Sequence, residues 1–292
     1  MSVDAEAAPK PAARPNLHAA VFCLLAFAVF SGTDVLVKLL AERMAVPQVT
    51  FMVTTAALVL LLIQAGATGT FASLLPRYPG VALMRAFLLA IDTILIHYAF
   101  SMLPLSEAYL LAFLTPVLVA VLAFLLLGER LSPLAWLGVI VGFVGITIAL
   151  QPTMVSLNLG HAAAAGSALV FALSLLLLRR TKQLETDMAL VSTLLVVLAA
   201  VALGALLSTG GFRPVGGSDL VSAAAAGLFL LGGHLLLVRA FRTGDASVVA
   251  PFQYTQIIWG CLYGALFFAA PVELHMVAGA LVVILSGWLV LK

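Results

Sequence analysis

Ten long apolar segments run almost back to back through this chain, at roughly 17–39, 47–66, 79–102, 105–127, 133–150, 158–179, 186–209, 218–241, 246–268 and 273–291, and a few ionisable side chains sit inside them. About 20 apolar residues suffice to carry a helix across the hydrocarbon core of a bilayer. Backbone groups in lipid must be satisfied internally, so only helices and closed barrels can cross. The alternating ten-residue strands of a barrel are absent, which leaves helices. The expected fold class is an all-α membrane protein of ten transmembrane helices.

Hydrophobic residues make up 64% of the 292 and charged residues 9%, with a mean hydropathy of +1.21. Soluble domains carry about 25% charge, so the solvent for this sequence is lipid. A net charge of +2, with no basic cluster interleaved with aromatics, gives no nucleic-acid surface. Cys23 and Cys261 lie in separate apolar segments and belong to no CxxC pair, so they read as reduced packing residues. The first 16 residues, rich in Ala and Pro, read as a disordered tail. The apolar run from Leu17 continues through Asp34 and Lys38 without a cleavage site, and is expected to be retained as a helix.

Short connections carry turn chemistry, as in Leu131-Ser132-Pro133 and Thr243-Gly244-Asp245. With the N-terminus in the cytoplasm, the inner ends hold Lys10, Arg14, Arg77, Arg130, Arg179, Arg180, Lys182, Arg239, Arg242 and Lys292. The outer ends hold Lys38, Arg43 and Arg213. This bias places both termini on the cytoplasmic side of a bacterial inner membrane.

A shift of 141 residues brings the two halves into line: Phe30 falls on Phe171, Lys38 on Arg179, Ala99-Phe100 on Ala240-Phe241, and Gly138 on Gly279. The halves are taken as 17–150 and 158–291. Each has five spans, an odd number, so the second half enters the membrane upside down. Inverted repeats are a common plan for secondary transporters, with the solute site between them near mid-membrane.

Leu105-Ser106-Glu107-Ala108 through Phe113-Leu114-Thr115-Pro116, then Leu127-Gly128-Glu129-Arg130 and Gly138 to Gly145, resemble the fourth and fifth helices of EamA-type drug/metabolite transporters. The second half repeats the pattern with Ala250-Pro251-Phe252-Gln253-Tyr254 and Gly279 to Gly287. Phe30 to Leu39 is similar to the first helix of a bacterial branch, and Arg85 with Tyr98-Ala99-Phe100 to its third. The resemblance implies two inverted five-helix repeats that carry a small organic solute, such as an amino acid, a purine or nucleoside, S-adenosylmethionine, riboflavin or a drug. Two positions depart from the pattern. Met52-Val53 stand where an arginine often follows in helix two. Ala270 stands where the second half would repeat Glu129, which makes Glu129 look structural.

Asp34 and Lys38 are spaced i, i+4 with the acid first, the favourable order for a helix ion pair, and Ser31 shares their face. They form either a self-neutralised pair or a polar lining of the outer mouth. Arg85 and Asp92 share a face two turns apart. Asp92 lies midway along its span, where a charge is costly and tends to mark a solute or proton path. Arg85 is nearer the cytoplasmic end, where it either snorkels or meets an anionic solute. His234 falls one residue from Asp92 under the 141 shift and is a candidate proton relay, as are Asp92 and Asp34; a hydrogen-bonding packing role is the alternative. Gln253, Gln256, Trp259 and Tyr263 lie on helix nine, and Gln256, Trp259, Gly260 and Tyr263 fall on one face. Amides, an indole and a phenol beside a glycine suit a planar or amphipathic solute. Pro116 and Pro251 interrupt helices four and nine.

The favoured function is a secondary carrier without catalytic residues, whose partners are membrane lipid and a small-molecule solute, with proton coupling as an added possibility. No nucleotide-binding loop or soluble domain is there to use ATP. The alternative, a membrane-embedded enzyme acting on a lipid-like substrate, would need a cluster such as HExxH or GxSxG with a histidine, and none is present. The histidines have no metal-ligand spacing, so neither metal nor cofactor is expected. Glycines 138, 142 and 145 suit close helix packing, within the monomer or against a partner.

Overall fold

The computed structural model describes residues 13–103, 105–151, 157–180, 185–209, 211–269 and 271–291. The side chains of His97 and Glu107, and residues Lys182 and Ala270, lie outside what it describes. In chain order the helices are α1 (Ala13–Ala41), α2 (Val46–Thr68), α3 (Pro79–Met102), α4 (Leu105–Ala112), α5 (Thr115–Leu127), α6 (Pro133–Leu150), α7 (Leu159–Arg180), α8 (Asp187–Thr209), α9 (Gly217–Thr243), α10 (Ala246–Val249), α11 (Gln256–Phe268) and α12 (Leu274–Val290). Short 3-10 turns occupy Phe71–Leu74 and Ala250–Thr255. No strand occurs among the described residues. Residues 13–16 of the expected tail are helical.

Eight helices are long and apolar enough to cross a membrane, taking 108–127 as one, and α12 is a shorter apolar helix. Ten uninterrupted helices are not what forms. The fourth expected segment breaks between α4 and α5, where Pro116 sits in the first turn of α5. The ninth is a turn of helix, a 3-10 stretch containing Pro251, and then α11. Proline lacks an N–H and cannot continue an α-helical ladder, which accounts for both breaks. Phe87, Phe124, Ile140, Leu281 and Trp288 are each more than half exposed, as a lipid-facing surface requires.

The 141-residue period reappears in the structure. α2 maps onto α8 and α5 onto α11 end for end, and the starts of α6 and α12 coincide. Packing follows the same rule. α1 lies along α9 as α3 lies along α7, while α6 pairs with its own counterpart α12. Polar contacts give the directions. Asn16 at the start of α1 donates to Asp245 (3.2 Å), which also pairs with Arg179 at the end of α7. α1 and α7 therefore run in opposite senses. The start of α3 and the end of α9 meet at this same end, because Glu185 accepts from the Arg77 N–H (2.9 Å) while its carbonyl accepts from Arg242 (2.6 Å).

The glycine stripe of α6 is used within the chain. A Cβ on Gly138 would lie 2.6 Å from Val290, and one on Gly279 would lie 2.5 Å from the Gly145 carbonyl. Only glycine lets α6 and α12 approach this closely. Gly128 ends α5 in the left-handed region (φ 68°), and its repeat mate Ala269 ends α11 at φ 50°. An L-residue there costs about 1–2 kcal/mol, partly offset by its stiffer unfolded chain. Ala269→Gly should therefore stabilise the protein by roughly 0.5–1 kcal/mol. An increase in the thermal midpoint in detergent is expected, and a decrease would contradict the strain at this cap.

Candidate functional site

Between the two halves lies a cavity of about 410 Å³, within the usual range for small-molecule sites. Its polar lining comes from Ser31, Asp34 and Lys38 on α1, Tyr109 on α4, Gln256 and Tyr263 on α11, and His275 on α12. Phe113, Val35, Leu150, Ile257 and Met276 supply the apolar wall. First-half helices α1, α4 and α6 face second-half helices α11 and α12 across it.

The break in the ninth segment sets the polar face. Because Ala250–Thr255 winds as 3-10, α11 starts afresh at Gln256, and Gln256, Gly260 and Tyr263 come onto the cavity. Gln256 donates to Asp34 (3.3 Å), joining the halves through one hydrogen bond. Trp259 stands beside Tyr263 with ring centroids 6.5 Å apart. Its indole nitrogen is buried without a hydrogen-bond partner among the described residues.

The other candidates lie elsewhere. Gln253 belongs to the 3-10 stretch and is buried, with its amide oxygen unpartnered. Asp92 accepts from Ser167 on α7. His234 packs edge-on to Phe30, ring centroids 5.0 Å apart. Arg85 does not snorkel: it is 2% exposed, in a fully packed position. None of these four lines the cavity, and neither does Trp259.

Sequence reasoning missed Tyr109 and His275. Tyr109 stacks one turn before Phe113 (centroids 6.2 Å), and Phe113 meets its own repeat mate Tyr254 edge-on (6.3 Å) at the two helix breaks. An aromatic i, i+4 pair just before a helix-breaking proline was the readable signal. Gln48 was also missed. Its amide bonds both the N–H and the carbonyl of Arg213 (2.9 and 2.8 Å), tying α2 to the start of α9.

Lys38 and His275 mark the mouth of the cavity. The opposite end of the bundle carries an ion-pair network. Arg179 pairs with Glu129 (3.0 Å) and with Asp245. Glu129 also accepts from the Ser247 N–H (3.1 Å) and hydroxyl (2.9 Å), which holds the start of α10. Arg242 and Arg239 both reach Asp187. These groups tie α5, α7, α8, α9 and α10 together below the cavity.

This two-repeat bundle with a cavity between its halves is the architecture of a solute carrier. The pattern described as the EamA-like transporter family matches residues 17–151 and again 158–292, and the chain belongs to that family. It is similar to a riboflavin transporter of Rhizobium johnstonii, 27% identical over 76% of this chain and 73% of that one. It is also similar to an S-adenosylmethionine uptake transporter of Rickettsia bellii (26%, over 70% of each chain). A pseudopaline exporter of Pseudomonas aeruginosa is 25% identical over 91% of this chain and 93% of that one. One crystal structure superposes with a TM-score of 0.82 at 20% identity, covering 93% of this chain and 95% of the other, which shows the shared fold.

The open mouth predicts unequal thiol reactivity. In detergent, Lys38→Cys or Tyr263→Cys, each made in a chain lacking the native cysteines, should react with a maleimide about tenfold or more faster than the fully buried Cys23 of the native chain. Equal rates would contradict a cavity open at the Lys38 end.

Proposed function

We propose that this protein is a secondary transporter that moves a small organic metabolite across the bacterial inner membrane by alternating access. The observation that carries the reading is a cavity between the repeats, open at the Lys38 end and sealed at the Arg179 end. Residues 17–150 and 158–291 are the two inverted halves. The broken fourth and ninth segments each count as one crossing, which makes ten spans. With Lys and Arg concentrated at the sealed end, both termini are cytoplasmic and the cavity faces outward. The solute lies among Asp34, Lys38, Tyr109, Gln256 and Tyr263, where aromatic faces and an amide suit a planar or amphipathic molecule of amino-acid, purine, S-adenosylmethionine or riboflavin size.

Of the three proton-coupling candidates, Asp34 lines the cavity and bridges to the opposite half, whereas Asp92 and His234 stand outside it. Coupling is therefore assigned to Asp34. In liposomes loaded with an unlabelled metabolite panel, the protein should show counterflow of at least one labelled member. A pH gradient should accelerate uptake of that member. Asp34→Asn should abolish the acceleration and leave counterflow measurable. Absence of counterflow across amino acids, purines, S-adenosylmethionine and riboflavin would count against the carrier reading, and indifference to the gradient would remove the coupling.

The sealed end is the inner gate. Arg179→Ala leaves Glu129 and Asp245 facing each other without a cation, which favours the inward-open state. About 1.4 kcal/mol of differential stabilisation corresponds to a tenfold population change. Labelling of Tyr263→Cys from the outer face should slow about fivefold or more in the Arg179→Ala background. An unchanged rate would show that the network does not hold the gate.

A further inference from the structure

Arg85 is among the largest fully buried side chains of the described residues, and neither its Nε nor its Nη1 has a hydrogen-bond partner there. It makes no ion pair there either. Guanidinium stays charged in proteins. Leaving such a charge buried without a counter-charge costs several kcal/mol. Such a charge calls for an anion, and among the described residues no acid pairs with it. Asp92 is seven residues on along the same helix, about 10.5 Å of rise, and is already engaged by Ser167. Glu129, Asp187 and Asp245 are committed to Arg179, Arg239 and Arg242.

The surroundings of Arg85 are polar and equally unoccupied. α3 and α7 pack side by side and run in opposite senses. Because Asp92 meets Ser167, stepping back seven residues on α3 and forward seven on α7 brings Arg85 level with Ser174. Ser174 is 0% exposed, and its hydroxyl is buried without a partner among the described residues. The start of α3 and the end of α9 meet at Glu185 through Arg77 and Arg242, and Arg85 lies eight residues after the one as His234 lies eight before the other, so the two share one depth; the His234 Nδ1 is likewise buried, without a partner among the described residues. Three helices from both halves thus place buried hydrogen-bonding groups, one of them cationic, at one depth of the packed interior, about two turns from the Arg179 end.

We propose that Arg85, with Ser174 and His234, is an internal receptor for an oxyanion, so that the cargo is a carboxylate-bearing organic solute. This rests on the carrier reading above and narrows its cargo. Guanidinium matches the planar oxygens of a carboxylate, and Ser174 supplies a neutral donor beside it. Arg85 is closed off from the outward cavity in this conformation. The carboxylate is received there as the halves rock and the solute moves inward, while its apolar body follows from the aromatic wall. A solute without an anionic group would leave the guanidinium unpaired and be rejected, because buried unpaired polar groups are what discriminate strongly between analogues.

The test uses thiol chemistry at Ser174→Cys in the full-length protein with Cys23→Ala and Cys261→Ala. The probes are the anionic sulfonatoethyl and the cationic trimethylammonioethyl methanethiosulfonates, each rate normalised to its reaction with a free thiol. The anionic probe should react about tenfold or more faster than the cationic one. Arg85→Gln should erase that preference, and Arg85→Lys, which keeps the charge, should restore it even if Arg85→Gln folds poorly. Failure of Ser174→Cys to react with the anionic probe, or a ratio that Arg85→Gln leaves unchanged, would overturn the proposal. The chemistry requires no transport, so counterflow without anion preference removes this inference alone, whereas anion preference without counterflow removes the carrier reading and the cargo assignment with it, and leaves only an oxyanion site at Arg85.

Discussion

A charge inside hydrocarbon must be paid for, and the whole arrangement of this protein follows from where its charges find company. Apolar side chains have no reason to choose a neighbouring helix over a lipid tail, so close backbone approach and polar contacts hold the bundle together. At one end, Arg179, Glu129, Asp245 and Asn16 gather helices from both halves. At the other, Gln48 and Arg213 join α2 to the start of α9, but the space between α1, α6, α11 and α12 stays open. Closure at one end and a cavity at the other are two outcomes of the same electrostatic accounting.

The internal duplication makes that asymmetry informative. Lys38 and Arg179 are repeat mates, one at the open mouth and one at the seal. Arg179 is matched by Glu129 and Asp245, whose own mates are Ala270 and Pro104. The Lys38 end therefore cannot form the same ion pairs. Two halves with one fold are chemically different at their matching ends, and under the carrier reading such a difference sets the balance between two access states. The bonds from Glu129 to Ser247 explain why that glutamate is kept in one half: it caps the start of α10 as well as neutralising Arg179. At the neighbouring position the halves diverge again, with Gly128 relaxed and Ala269 strained in the same cap.

The helical segments, the repeat and the carrier class were legible because each rests on a long-range regularity of the sequence. About twenty apolar residues specify a crossing helix, and the opposite senses of α1 and its repeat mate α7 mark the inversion. Within the site, Asp34, Lys38, Gln256 and Tyr263 were legible as polar residues on apolar helix faces. Ser167 and Ser174 were not, although they share with Asp92 and Arg85 a seven-residue spacing. Serine is common in membrane helices and carries no signal until its partner across the interface is known. Tyr109 and His275 escaped notice for the same reason, since each belongs to the cavity only through helices far away in sequence.

The amino-acid sequence by itself determined that the chain lives in lipid, that it crosses as helices, and that it does so twice over with one pattern, because hydropathy and periodicity act along the chain. Only the tertiary structure decided that the glycines of α6 are consumed by α12, that Asp34 bonds Gln256 across the halves, and that Arg85 stands buried without a counter-charge among the described residues. Those facts depend on which faces meet. In a lipid solvent, that choice is made by close packing and polar satisfaction between helices, which no local pattern records.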